Sequence, residues 1–311
     1  MPLNSVQSRT VVAICLGTLV TAACSGDGDD TAKASKTVVI GSAPFAESQI
    51  VANMYAGALK NEGYQVVVRK GLGQREIYMP ALEKGGADNG VDLVPEYVGT
   101  LLEYVNKNAG EASGNLDESV TKLRSRLDPM GLTALEPSPA ADQNAFAVTR
   151  ATADRLRLKK LSDITPAVAS TLTLGAGAEC PARPFCLPGL EKTYGLRFKP
   201  IRILDSGGPR TIEALTQGDI DIGLVFSSDG AVAARDLVVL EDDKKLQTVD
   251  NIVPAIRKDI VDDDMRDTLD KVSAALTTTD LIELNRRASI DKTDPEVLAR
   301  EWLANHGFSK K

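Results

Sequence analysis

The 311-residue chain is 43% hydrophobic and 25% charged, ordinary values for a soluble globular protein with room for two cores of the usual ~100 to 150 residues. A formal net charge of −7 with no long basic run makes nucleic acid a poor partner. Only 4% of the residues are aromatic, so a ring at the end of a strand is hard to dismiss as filler.

The first 23 residues read as an export signal. Arg9 supplies positive charge, Val11 to Val20 is an apolar run, and Thr21-Ala22-Ala23 is a small-residue cleavage site. The run is too short to span a bilayer, which takes about 20 residues. Cys24 follows directly, and the small-small-Cys arrangement resembles the lipobox of bacterial lipoproteins, in which the cysteine is acylated and becomes the mature N-terminus. The departure is Thr21, where that pattern usually has Leu. Residues 24–36, small, polar and acidic, read as a flexible tether.

Ordered structure is expected from Thr37-Val38-Val39-Ile40, a β-branched run that reads as a buried strand. It runs into a turn of small residues containing Ser42, Phe45, Glu47 and Ser48. The periodic apolar set Ile50, Val51, Met54, Ala58 and Leu59 then predicts a helix closing at Asn61-Glu62-Gly63, with the next strand at Tyr64 to Val68.

One plan is written twice, at Gly71 to Thr100 and at Gly207 to Ser228. Each copy opens on a glycine turn (Gly71 and Gly73; Gly207 and Gly208), where positive φ is tolerated and backbone can approach a ligand. Each continues into a helix with an early Arg and an Ala-Leu pair, Ala81-Leu82 or Ala214-Leu215, ended by Gly85 or Gly218. A short strand follows, Val91 to Val94 or Ile220 to Val225, and ends in an aromatic beside small polar residues: Pro95-Glu96-Tyr97 and Phe226-Ser227-Ser228. In open α/β sheets ligands bind outside the carboxyl ends of strands, where helix N-termini also point. Tyr97 and Phe226 are therefore expected to face each other across a cleft.

Downstream, Cys180 and Cys186 close a short ring in CPARPFC. In an exported protein an isolated pair reads as a disulfide, worth about 2 kcal/mol by loop entropy. The alternative, a metal site, lacks partners, since the one histidine, His306, lies far away in an Asn-His-Gly turn. Asn144 to Val148 and Asn251 to Ile256 are similar short strands. Leu269, Val272, Ala275 and Leu276 mark one face of a helix after Asp259, and Asp294-Pro295-Glu296 caps a last helix through Trp302. An exported enzyme is weighed against a binding protein. No Gly-x-Ser-x-Gly, HExxH or GxxxxGK[ST] occurs, and Glu47 and Glu96 read as caps of helix or turn N–H groups, or as tuners of the cleft, before they read as an acid/base pair.

Gly41-Ser42-x-x-Phe45-Ala46-Glu47-Ser48, Gly71-Leu72-Gly73, Pro80-Ala81-Leu82, Asp92 to Thr100 (DLVPEYVGT) and Leu187-Pro188-Gly189-Leu190-Glu191-Lys192-x-Tyr194-Gly195 together resemble the glycine betaine/choline/carnitine-type substrate-binding lipoproteins of ABC importers. The likeness spans roughly 37–307, and PEY-x-GT is its most specific part. It implies an α/β, two-lobed periplasmic-binding-protein (type II) fold with a ligand cleft between lobes. The expected lobes are 37–142 with 239–311, and 143–238, with crossings at Gln143 to Val148 and Phe226 to Val238. It also implies a small quaternary-ammonium ligand caged by aromatic rings, a permease and its ATPase as partners, and no cofactor. Carried over, the cage tyrosine of PEY is Tyr97, the aromatic before Ser-Thr-Asp is Phe226, and the glutamine of FTEQ becomes the shorter Ser48. Asn144 stands where Asn-Thr-Tyr-Ala begins, without its tyrosine, and Phe185 is the only ring in the loop that often offers another. Phe45, Ser42, Tyr78, Thr100, Gly207 and Gly208 complete the candidate ligand-binding set. The same fold binding a different small ligand, and an anchored sensor without transport, are the alternatives.

Overall fold

The computed structural model describes residues 37–198 and 200–308, so the signal segment, Cys24 and the tether lie outside the described residues. Among the described residues ten strands form in chain order: β1 Thr37–Gly41, β2 Gln65–Arg69, β3 Leu93–Tyr97, β4 Leu132–Ala134, β5 Asn144–Thr149, β6 Leu174–Ala176, β7 Ile201–Ile203, β8 Ile222–Phe226, β9 Leu237–Leu240 and β10 Ile252–Arg257. They assemble into two five-stranded mixed sheets, β2-β1-β3-β10-β4 and β7-β6-β8-β5-β9. The two orders are the same order. In each sheet the ring-bearing strand, β3 or β8, sits centrally, parallel to one neighbour and antiparallel to a strand that arrives from the other half, β10 or β5.

The sequence reasons for these elements are local. The β-branched run of β1 is buried after its first residue and pairs in parallel with β2 over its whole length, as expected of a strand covered on both faces. The helix α1, Ala46–Asn61, buries Ile50, Val51, Met54, Ala58 and Leu59, the set that the periodicity selects, and Tyr55 with them. It packs with α5 (Asp263–Ala275) and α7 (Pro295–Asn305) over one face of the first sheet, where Ile40, Leu269, Leu298 and Trp302 meet. Each large aliphatic side chain so buried contributes about 1.5 to 3 kcal/mol. The other face carries Leu82, Leu101 and Leu123 from α2 (Arg75–Lys84), α3 (Val98–Val105) and the helix Leu116–Leu127. The second sheet has its own cores, one around Phe146, Leu174, Leu190 and Leu224, the other around Ile212, Leu215 and Val225 beneath α4 (Pro209–Gln217). The helix α6, Thr278–Ser289, is entered through a capping box between Thr277 and Asp280.

Two expectations need correction. The second crossing does not lie at 226–238, nor does the second lobe end at 238: β9 continues to Leu240 and pairs with β5, Val148 opposite Val238. Leu246 still belongs to the second core, and the Tyr194 hydroxyl donates to Asp242. The return to the first sheet therefore falls between Leu246 and Ile252. Gly85 does take positive φ, at φ 86° and ψ 157°, but only Gly218, at φ 77° and ψ 15°, adopts the left-handed helical cap.

Candidate functional site

Where the two segments cross, they run side by side. The Asp142 N–H donates to the Asp250 carbonyl at 3.0 Å, and Ala141 bridges Asn251. Both aspartates stand two residues before a crossing strand, and each cups the backbone that follows a ring-bearing strand. Asp250 Oδ1 accepts from Gly99 N–H at 2.9 Å and Thr100 N–H at 3.0 Å, at the N-terminus of α3. Asp142 Oδ1 accepts from Ser228 N–H at 2.9 Å, just after β8. Carboxylates are favoured at such donor-rich ends, yet burial pushes Asp142 well up, with Glu47 adding to it. Burial likewise pushes Asp250 up to about 7, against the pull of the Thr100 N–H and of Arg75.

This arrangement brings three rings into one place. Phe45, at the end of the β1–α1 turn, lies 6.4 Å from Tyr97 and 6.2 Å from Phe226 between ring centres, with interplanar angles of 30° and 27°. Phe45 and Tyr97 come from the first lobe and Phe226 from the second. They line a cavity of about 110 Å³ together with Tyr78, Thr100, Asn144 and Phe185, and with the carboxylates of Asp142, Glu179 and Asp250. Beyond Phe45 and Phe226 a wider chamber of about 960 Å³ opens, walled by Glu47, Asp205, Gly207, Gly208, Asp229 and Asn285 among others. Burial pushes Asp229 up to about 6, with Glu47 and Asp205 contributing. The cleft is thus a crowded field of carboxyl groups, in which an entering cation would relieve mutual repulsion.

The rings are fixed differently. Tyr97 donates its hydroxyl to Glu47 Oε1 at 2.6 Å. Burial, reinforced by Glu47, pushes the Tyr97 phenol well above its ordinary value, so it stays a donor. Beneath it Glu96, fully buried, is gripped by Arg75 through Nε at 2.8 Å and Nη2 at 2.7 Å, and receives the Tyr78 hydroxyl at 2.7 Å. Burial opposes the charge on Arg75, but Glu96 overrides it and holds the guanidinium firmly protonated. Phe226 has no hydroxyl to hold. Instead Gly207, at φ +69°, lies so close that a Cβ there would come within 2.8 Å of the ring.

Most candidate residues line one of the two spaces. Phe45, Tyr78, Tyr97, Thr100, Asn144, Phe185 and Phe226 surround the small cavity, and Gly207 and Gly208 the larger chamber. Ser42 and Ser48 line neither. Their hydroxyls turn to backbone, Ser42 accepting from Gly71 N–H at 3.2 Å and Ser48 from Ala43 N–H at 2.9 Å, because Ala43, in the β1–α1 turn, and Gly71, just after β2, lie beyond the ladder and need other acceptors. Asn144 gives its amide to the Phe185 carbonyl at 3.3 Å, and Thr100 Oγ1 accepts from Arg75 at 3.0 Å, so neither side chain is wholly available. Glu96, besides pairing with Arg75, accepts the Tyr97 N–H at 3.1 Å at the start of α3, as a cap of a helix N–H would, whereas Glu47 caps no helix and joins Tyr97, Ser228 and Asn285 in the cleft. Asp142, Asp250, Arg75 and Glu179 were not singled out. The parallel placement of Asp142 and Asp250 before two similar strands was the signal available for the first two.

The loop that carries Phe185 is closed by a Cys180–Cys186 disulfide, with Cα atoms 5.2 Å apart. From it Arg183 reaches back to the first lobe, pairing with Glu76 at 2.6 Å and lying 5.7 Å from the Tyr104 ring centre.

Comparison with known proteins matches this geometry. Residues 36–305 match the model of the substrate-binding domain of ABC-type glycine betaine transport systems. The chain is 28% identical to a glycine-betaine-binding protein of Pseudomonas aeruginosa, over 96% of both chains. It is 26% identical to the glycine betaine-binding protein YehZ of Escherichia coli, over 89% of this chain and 93% of that one. Among solved structures, a glycine betaine/carnitine/choline ABC transporter superposes with a TM-score of 0.69 at 25% identity, covering 87% of this chain and 99% of the other. Apo YehZ from E. coli superposes at 0.63 and 25%, covering 88% and 100%. The same strand order in both lobes, the cleft between them and a family match over nearly the whole described chain lead to one conclusion: this chain belongs to the substrate-binding domains of ABC-type glycine betaine transport systems.

Proposed function

We propose that the protein captures a quaternary-ammonium solute of the glycine betaine, choline or carnitine kind in the 110 Å³ cavity and presents it to an importer's permease. The observation that carries this reading is the meeting of Phe45, Tyr97 and Phe226, from both lobes, beside buried carboxyl groups. A trimethylammonium group donates no ordinary hydrogen bond, so ring faces are what attract it, at about 0.5 to 2 kcal/mol per ring, together with buried carboxyl groups whose ionisation the cation favours. The relatives named for glycine betaine, and a carnitine transport binding protein of Listeria monocytogenes 24% identical over 88% of this chain, support the same ligand class. Neither lobe alone supplies all three rings, so binding requires the closed arrangement. An ATPase drives the permease in this reading, and acylated Cys24 anchors the protein at the outer face of the cytoplasmic membrane.

Calorimetry of the soluble domain against methylated ammonium solutes and sugars tests it. Tyr97→Ala and Phe226→Ala should each cost about 1 to 2 kcal/mol, a five- to thirtyfold loss of affinity. Tight binding of an uncharged solute with no heat from any ammonium compound would sink the cage while leaving the family assignment intact. A second reading, a bulkier or non-quaternary ligand in the same cleft, draws on the 960 Å³ chamber beyond Phe45.

A further inference from the structure

The Glu47 carboxylate is 5% exposed, and the hydrogen bonds it accepts come from neutral donors on three separate elements. The Tyr97 hydroxyl, at the end of β3, donates to Oε1 at 2.6 Å. The Ser228 hydroxyl, just after β8 in the other lobe, donates to Oε2 at 2.6 Å. The Asn285 amide, on α6, donates to Oε2 at 2.5 Å and also reaches Ser228 Oγ at 3.0 Å. One carboxylate therefore fixes a ring of the first lobe against the first residues beyond the ring-bearing strand of the second.

We infer that Glu47 is a positioning residue for the bound cation, holding the face of Tyr97 toward the cavity and setting that ring's place relative to Phe226. The inference rests on the quaternary-ammonium reading for its ligand but not for its geometry. The physical argument is directional. A cation gains from an aromatic ring only over its face and within about 6 Å of the centroid, and a tyrosine at a strand end can swing about two side-chain torsions. Phe226 is kept from swinging by the Gly207 backbone; Gly71, the first glycine of the other copy, has nothing closer than 3.9 Å to an added Cβ. For Tyr97 the hydroxyl contact with Glu47 takes over the constraint. A phenol donating to a carboxylate is also polarised, which enriches its ring in electron density and strengthens the attraction for a cation. Through Ser228 the same carboxylate ties this orientation to the second lobe, so ring placement and lobe placement are set together.

The test is a double-mutant cycle read by calorimetry with choline and with glycine betaine as probes. Glu47→Ala and Tyr97→Phe should each weaken binding about five- to tenfold. The double variant should be no more than about twofold weaker than the worse single one, because both remove the same contact. Glu47→Gln, which keeps an acceptor and the side-chain volume, should recover most of the loss. Losses that multiply in the double variant would overturn the inference, since Glu47 would then act independently of the Tyr97 hydroxyl. A second measurement needs no ligand and no Glu47→Ala fold. With ¹³C-labelled tyrosine, the ring signal missing from Tyr97→Phe is assigned to Tyr97. It should shift or broaden when Glu47 is replaced by Ala, or by Leu if the Ala variant does not fold, and return in the Gln variant. An unchanged signal also overturns the inference. Failure of the wild type to bind either probe would overturn the quaternary-ammonium reading alone, leaving the ring measurement to decide the role of Glu47.

Discussion

The two copies of the glycine-helix-strand-ring plan reach the same place by different physics. In the first, Gly71 to Thr100, the ring stands over a buried ion pair, Arg75 with Glu96, and its hydroxyl is tied to Glu47. In the second, Gly207 to Ser228, the early arginine, Arg210, is exposed, and its backbone N–H is met by Asp205 at 2.9 Å. There the ring is pressed by glycine backbone. The fold repeats the strand order and the position of the ring. It does not repeat the means of holding it, so one lobe depends on electrostatics and the other on close packing.

The difference is broken most severely at the arginines. Arg75→Ala leaves the fully buried Glu96 without its bidentate partner, and removing one member of a buried pair costs about 3 to 5 kcal/mol. Arg210→Ala, at an exposed site, should stay within about 0.5 kcal/mol. Urea denaturation of the two variants, side by side, measures the contrast. Equal effects would mean that the ion pair contributes nothing particular to the first lobe.

The next effect is a pH dependence written into the crossing. Burial raises the Asp250 carboxyl to about 7 in the folded protein, with Glu96 adding to it and the Thr100 N–H and Arg75 opposing it. An unfolded aspartate titrates near 4. Between these values the folded protein holds a proton that the unfolded chain has released, so stability falls as pH rises and levels off above about 7. Asp229, raised to about 6, acts in the same direction, as does Asp142. The wild type should be more stable at pH 5 than at pH 8 by about 2 kcal/mol from Asp250. Asp250→Asn, which keeps an acceptor for Gly99 and Thr100, should shrink the difference measured by urea denaturation by about that amount, leaving the share of Asp229 and Asp142. A difference that persists unchanged would place its origin elsewhere.

How much of this was legible beforehand follows the same division. The paired rings were readable because each copy ends on an aromatic, and the two-lobed α/β fold implied by the family resemblance is present as two sheets; their common strand order was not written in the pattern. The α1 helix and the disulfide were readable from period and spacing. The hidden features depend on which way a short polar side chain turns. Ser48 looks like a ligand contact in sequence, but the unpaired Ala43 N–H claims it. Asp142 and Asp250 look like ordinary loop acids, and only the meeting of the two crossing segments buries them. The boundary at 238 failed for a related reason: Leu237 to Leu240 is an apolar run of only four residues, too short to distinguish a linking segment from the edge strand it forms beside β5.

The smallest effect isolates the packing half of the comparison. Gly71 and Gly207 have nearly the same backbone, φ +68° and +69°, so alanine at either one bears a similar cost for a left-handed conformation, about 1 kcal/mol. At Gly71 the nearest atom to a new Cβ is the Pro44 Cα at 3.9 Å, an ordinary contact. At Gly207 the Cβ meets the Phe226 ring at 2.8 and 3.0 Å and the Val225 Cα at 3.2 Å. The strand backbone cannot retreat without disturbing its pairing to β5, where Phe226 lies opposite Asn144, so the ring must tilt. Gly207→Ala should therefore cost about 2 kcal/mol in stability against about 1 for Gly71→Ala, and only the Gly207 variant should weaken solute binding. Equal stability losses with unchanged affinity in both variants would mean that the glycine backbone does not set the Phe226 ring.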